Sequence, residues 1–175
     1  MNPETIFKIV CIGDKEVGRS TLFKESLNMS YYSENYIETV GVDIFQKELA
    51  IGGWLVNLKI WNVSNKDYFS NLLSNYINCS DGVLLMFDLT NLRTLNYLLK
   101  FPQLIRDGVG EIQVLLLGNK VDLEEDREVS EEKGKIFAEE NNLTGYIEIS
   151  AKTGEGCDGI FELLAEKIMR QMQLH

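Results

Sequence analysis

Gly13-Asp14-Lys15-Glu16-Val17-Gly18-Arg19-Ser20-Thr21 satisfies the glycine loop G-x-x-x-x-G-K-[ST] at every defined position except one, where Arg19 stands in place of the lysine. The preceding residues, Thr5 to Ile12, form an apolar run interrupted only by Lys8, which reads as a buried strand. The following residues, Leu22 to Leu27, carry apolar side chains at helical spacing. Strand, loop and helix start in this order predict backbone N–H groups curled around phosphate oxygens, with a helix N-terminus turned toward the negative charge. Gly13, Lys15, Glu16, Val17, Gly18, Arg19, Ser20 and Thr21 are therefore candidate phosphate-site residues, and Ser20 offers a hydroxyl to a magnesium ion.

Outward from this loop, strand and helix patterns alternate. Val40 to Leu49 and Val56 to Trp61 read as two strands joined around Gly52-Gly53, a hairpin signal. Tyr68 to Cys79 reads as helix, Gly82 to Asp88 as a buried strand, and Asn91 to Arg106 as a helix that Pro102 interrupts or kinks. Gln113 to Leu117 is a further strand, Ser130 caps a helix opening at Glu131, Tyr146 to Ile149 is a short strand, and Ile160 to Met172 is an amphipathic helix. This order predicts a single α/β domain over residues 1–175, with a six-stranded, mostly parallel sheet, one antiparallel edge strand and five helices.

The composition narrows the function classes. With 17 basic against 27 acidic residues and a net charge of -10, the chain is a poor candidate for charge-driven binding of nucleic acid. Cys11, Cys79 and Cys157 lie far apart without a C-x-x-C pair, which predicts a reducing, cytoplasmic compartment. No apolar run reaches the length of a membrane span. The residues from Met172 to His175 hold no cysteine for prenylation, so membrane attachment is expected only if a lipidated tail is missing from this sequence. His175 is the only histidine, which leaves no histidine-based catalytic or metal site.

Two further motifs close strands: Asn119-Lys120-Val121-Asp122 after Gly118, and Ser150-Ala151-Lys152 after Ile149. With the glycine loop, in this order and spacing, they resemble the Ras superfamily of small GTPases, and the resemblance covers essentially the whole chain. It implies a Ras-like P-loop G domain that binds GTP or GDP with magnesium. In that setting Asp122 accepts from the guanine ring N1–H and exocyclic amine, the Lys120 stem lies along the base, Ala151 offers its N–H to the base oxygen, and Asn119 and Ser150 brace the loops. The likeness is nearest to the Rab branch. Tyr36 to Asp43 is similar to its first switch, Asn57 to Trp61 to the strand before its second, and Ser74 to Tyr76 and Met86 to Thr90 also match. By position Thr39 turns onto magnesium and the γ-phosphate, joining Ser20 as metal ligand, and Tyr32 covers the base, with Tyr31 competing for that place.

The second switch departs from the family's W-D-x-A-G-Q-E, reading Trp61-Asn62-Val63-Ser64-Asn65-Lys66-Asp67. Asn62 replaces the carboxylate that holds a magnesium-bound water and loses its charge. Asn65 replaces a glycine whose N–H meets the γ-phosphate. Lys66 stands at the catalytic glutamine position, and an ammonium cannot accept a hydrogen bond from the attacking water. Arginine and lysine are not interchangeable in a tight phosphate cradle, so Arg19 is expected to weaken or reposition phosphate binding. The resemblance also implies a surface for protein effectors or regulators at Ile44, Trp61 and Tyr76, with core packing as the alternative role of the two aromatics. The favoured reading is a guanine-nucleotide-binding, Rab-like protein with impaired or absent hydrolysis that acts through partners in membrane traffic. A slow GTPase aided by a partner and a nucleotide-free interaction module are the alternatives.

Overall fold

The apolar run of the first strand folds as β1, Glu4–Gly13, whose last five residues are all buried. A computed structural model describes residues 4–26, 42–63 and 73–173 of the chain. Alternate residues of β1 feed two separate cores: Phe7, Ile9 and Cys11 face one, Val10 and Ile12 the other. From Ile9 to Gly13 neither side of the strand meets water, which is why that stretch is apolar throughout instead of alternating.

The remaining strands are β2 (Val42–Ile51), β3 (Trp54–Val63), β4 (Gly82–Asp88), β5 (Gln113–Asn119) and β6 (Gly145–Ile149). They lie in the order β2-β3-β1-β4-β5-β6, every neighbouring pair parallel except the antiparallel β2 and β3. Gly52 and Gly53 turn that hairpin with φ of 57° and 84°. Two consecutive positive φ angles are the requirement of the tight turn whose twist suits antiparallel strands.

The helices are α1 (Arg19–Ser26), α2 (Leu73–Ile77), α3 (Leu92–Tyr97), α4 (Phe101–Val109), α5 (Glu131–Glu140) and α6 (Ile160–Gln173). Leu22 and Phe23 of α1 and Phe161, Leu164 and Ile168 of α6 fill one core. Leu95, Phe101, Ile105 and Phe137 from α3, α4 and α5 fill the other. The helix expected from Asn91 to Arg106 is broken into α3 and α4 by a 3-10 turn at Leu98–Lys100. The cause is Pro102, which lacks an N–H and whose ring would collide with the Leu98 carbonyl four residues back, so it sits in the first turn of α4. Counting α3 and α4 as one interrupted rod, the described residues hold five helical regions and six strands, as the sequence predicts. Ser130 caps α5 by accepting from the Lys133 N–H at 3.2 Å. The parts of the expected elements at Val40, Gly41 and Tyr68 to Leu72 fall outside the described residues.

The carboxyl ends of β1, β4, β5 and β6 lie side by side along one edge of the sheet. In an open parallel sheet this edge is where ligands bind.

Candidate nucleotide site

The loop after β1 wraps through two left-handed points, Glu16 at φ 59° and Gly18 at φ 96°. At Gly18 a Cβ would also fall on the Asn119 amide nitrogen, so two independent constraints require glycine there. Lys15 N–H donates to Asp14 Oδ1 at 2.7 Å, and Leu22 N–H donates to the Gly18 carbonyl at 3.0 Å, starting α1. Val17 is buried in the core, so it anchors the loop, and only its backbone is placed to meet a ligand. Lys15, Glu16 and Thr21 are exposed.

Arg19 and Ser20 both reach β3. A terminal N–H of the Arg19 guanidinium (NH1) donates to the carbonyl of Val63. The amide nitrogen of Asn62 lies 3.5 Å from Ser20 Oγ, while Asn62 Oδ1 is buried without a hydrogen-bond partner. A buried, unpaired acceptor beside the Ser20 hydroxyl suits a hydrogen bond from a metal-held water, although it brings no charge.

On the base side Asn119 joins three loops. Its Nδ2 donates to the Val17 carbonyl at 2.7 Å, and its Oδ1 accepts from the Ala151 N–H at 2.8 Å. Asn119 thus links its own loop to the Val17 and Ala151 backbones. The Ala151 N–H, expected to face the base, is directed to Asn119 instead. Ser150 Oγ accepts from the Thr153 N–H at 3.1 Å and so donates its own proton to Asp122 Oδ1 at 2.6 Å. Lys120 adopts φ 74°, and its ammonium pairs with Asp88 Oδ2 at 2.5 Å, which anchors the head of the side chain. Asp88 enters the sequence analysis only as the end of a buried strand and within the Met86 to Thr90 match, without a role of its own, and here it holds the Lys120 ammonium. Its signal is a carboxylate closing the apolar strand Gly82–Asp88, where a buried charge demands a partner. Lys152 is exposed.

A clamp supports these loops from behind. Arg127 binds Glu148 through two parallel bonds of 2.9 Å, and Tyr146 donates to the same carboxylate at 2.7 Å. Arg127 follows the Asp122 loop and Glu148 precedes Ser150, so the clamp ties the two base-side loops together. Burial works to raise the Glu148 carboxyl, but the bonds from Arg127 and Tyr146 outweigh it and hold the group below its ordinary value. A depressed folded value means the stabilisation is complete above the unfolded carboxylate range of about 4 and is lost as pH falls below it. Glu148→Gln is expected to cost about 1–3 kcal/mol at pH 7 and to flatten the acid limb of the stability profile, as followed by thermal denaturation between about pH 3 and 7.

The three residues expected to meet partners come together. Ile44 and Trp61 are directly opposite in the β2–β3 ladder, and the Tyr76 ring centroid lies 6.1 Å from that of Trp61. Ile44 is 51% exposed, whereas Trp61 and Tyr76 are half-buried against the core. Lys8 Nζ sits 4.5 Å from the Trp61 ring centroid, a cation beneath the aromatic. Trp61 and Tyr76 thus pack against the second core while keeping part of their surface exposed. Thr39, Tyr31, Tyr32, Asn65 and Lys66 lie outside the described residues. Among the described residues no cluster of histidine, cysteine and carboxylate side chains forms a metal centre, and no helix is long and apolar enough to cross a membrane.

The Ras family pattern matches residues 8–170. The chain is similar to Ras-related protein Rab-1 of Theileria parva, at 33% identity over 165 residues, covering 93% of this chain and 74% of that protein. It is also similar to Ras-related protein RABC2a of Arabidopsis thaliana, at 36% identity over 172 residues, covering 93% and 78%, and to Ras-related protein Rab-12 of Mus musculus, at 32% identity over 168 residues, covering 95% and 69%. The match begins within β1 and ends within α6, taking in every loop around the crevice; the chain belongs to the Ras family and is a Rab-like small GTPase.

Proposed function

We propose that the chain binds guanine nucleotide between the glycine loop and the two base-side loops, hydrolyses GTP slowly or not at all, and acts by presenting its switch surface to protein partners in membrane traffic, at the cytosolic face of membranes. The observation that carries this reading is the Asn119 junction. One side chain, 2% exposed, gathers the phosphate loop, the Asp122 loop and the Ala151 loop around a single crevice. Asp122 reads the guanine N1–H and amine, the Lys120 stem covers the base, and Tyr32 closes the other side. The loop backbone from Gly13 to Ser20 holds phosphate. The Ala151 N–H serves the base by sharing or leaving its bond to Asn119.

Bound magnesium supplies charge neutralisation to the phosphates, and Ser20 with Thr39 would hold it. Asn62 offers that ion a neutral acceptor in place of a carboxylate, which supports weakened metal binding. Lys66 and Asn65 remove the groups that would orient water and meet the γ-phosphate, which supports impaired hydrolysis.

A second reading, a nucleotide-free interaction module built on Ile44, Trp61 and Tyr76, draws on the Arg19 bond to Val63, since a guanidinium engaged on a carbonyl is committed elsewhere than to phosphate.

The test is to denature freshly purified protein and identify released nucleotide by ion-exchange chromatography. Guanine nucleotide is the expected result, with GTP marking lost hydrolysis and GDP a slow working cycle. Protein free of nucleotide whose melting temperature ignores millimolar GDP and GTP with magnesium would reject the proposal in favour of the second reading.

A further inference from the structure

We infer that Lys8 is a positioning residue for the surface at Ile44, Trp61 and Tyr76: its ammonium, held between the Trp61 ring and the Asn78 carbonyl, seats the indole beside Tyr76. Its functional meaning rests on the partner-surface reading above.

Lys8 is the one charged residue in the apolar run Thr5 to Ile12. Its backbone is held twice against the residue that precedes β4. The Lys8 N–H donates to Asp81 Oδ2 at 2.7 Å, and the Asp81 N–H donates to the Lys8 carbonyl at 2.9 Å. The side chain therefore starts from a fixed point. It lies on the sheet face that carries Trp61, because Val10, two residues along β1, pairs with Trp61.

At its far end Nζ donates to the Asn78 carbonyl at 2.9 Å and lies 4.5 Å from the Trp61 ring centroid. Asn78 directly follows α2, the helix that carries Tyr76. One ammonium thus touches both the strand bearing Trp61 and the exit of the helix bearing Tyr76, whose rings stand 6.1 Å apart.

A cation suits this place for a physical reason. Burial lowers the Lys8 ammonium from its ordinary value, with Cys79 and Asp81 working in the opposite sense. An ammonium that has given up part of its water needs replacement partners, and a carbonyl and the negative face of an indole supply them. An apolar side chain would fill the same space without that pull on the ring. Ile44 stands directly opposite Trp61 and is exposed, so the orientation of the indole sets the shape that a partner meets there.

The test reads Trp61 directly, in the full chain carrying Trp54→Phe, which leaves Trp61 as the reporter of the two tryptophans. The bimolecular constant for acrylamide quenching of its fluorescence, and the melting temperature, are measured with Lys8 intact, Lys8→Met and Lys8→Arg. Methionine keeps a flexible apolar stem without the charge, and arginine keeps a cation that pairs well with an indole. Lys8→Met is expected to raise the quenching constant about twofold or more as the ring leaves its seat, and Lys8→Arg to return it to the Lys8 value. A merely space-filling Lys8 would be replaced by methionine as well as by arginine. Equal constants in all three proteins, or a rise that arginine does not reverse, overturn the inference. Should Lys8→Met fail to fold, the comparison is made with Lys8 intact and fluorinated tryptophans at position 61, which keep the ring's shape and weaken its negative face. Quenching that rises with the number of fluorines is then the expected result, and quenching independent of it overturns the inference. No partner or nucleotide is added, so a negative result removes the role of Lys8 and leaves the partner-surface reading standing, while loss of that reading leaves the quenching result as it is.

Discussion

Asp122→Asn is expected to lower affinity for GDP by about 10²–10⁴-fold and to favour xanthosine diphosphate instead. In the proposed site the carboxylate accepts two hydrogen bonds from guanine, each worth about 1.5–3 kcal/mol because the acceptor is charged, and every 1.4 kcal/mol is about tenfold in affinity. An amide at this position presents one acceptor and one donor. The donor meets the guanine amine head-on, whereas xanthine carries an oxygen at that ring position and accepts from it. The structure makes this a clean test of recognition. Ser150 Oγ donates to Asp122 Oδ1, and an asparagine oxygen can take the same bond, so the loop keeps its support. Calorimetric titration of both proteins with GDP and xanthosine diphosphate, alongside their melting temperatures, separates recognition from stability. Equal affinities for both nucleotides in both proteins would remove Asp122 from the base site.

Lys66→Gln combined with Asn62→Asp is expected to raise single-turnover GTP hydrolysis by about a hundredfold or more, the scale on which one well-placed polar group acts in a transition state. The two changes act on different parts. Glutamine can donate to and accept from the attacking water, which an ammonium cannot. Aspartate returns charge beside Ser20, where Asn62 now leaves a buried oxygen unpaired and is itself 7% exposed. A carboxylate in that place is costly without a cation, so Asn62→Asp alone should make the melting temperature depend on magnesium. Phosphate release after rapid mixing with GTP and magnesium reads the first effect. Failure of the pair to raise turnover would move the defect to Arg19.

Much of the architecture is legible along the chain because it depends on local pattern. β4 occupies Gly82–Asp88, as read from its apolar run, and the hairpin turns at Gly52 and Gly53, whose lack of Cβ admits the required φ. Asn119 and Ser150 stand at strand ends, where their motifs place them. Such features rest on side-chain periodicity and backbone freedom, which neighbouring residues express whatever the rest of the molecule does. Pro102 marked a disturbance in its helix, but the 3-10 turn that absorbs it depends on how Leu98 and Phe101 pack into the core.

The contacts that organise the crevice join residues far apart in the chain. Arg19 meets Val63, Lys120 meets Asp88, Arg127 meets Glu148, and Asn119 meets both Val17 and Ala151. Periodicity encodes which residues face inward, but not which strand lies beside which. Only once the order β2-β3-β1-β4-β5-β6 is set do these groups come within bonding distance. The substitution at Arg19 is plain from the residues alone; that its guanidinium serves β3 follows from the parallel pairing of β1 with β3, which brings Asn62 and Val63 alongside the start of the phosphate loop.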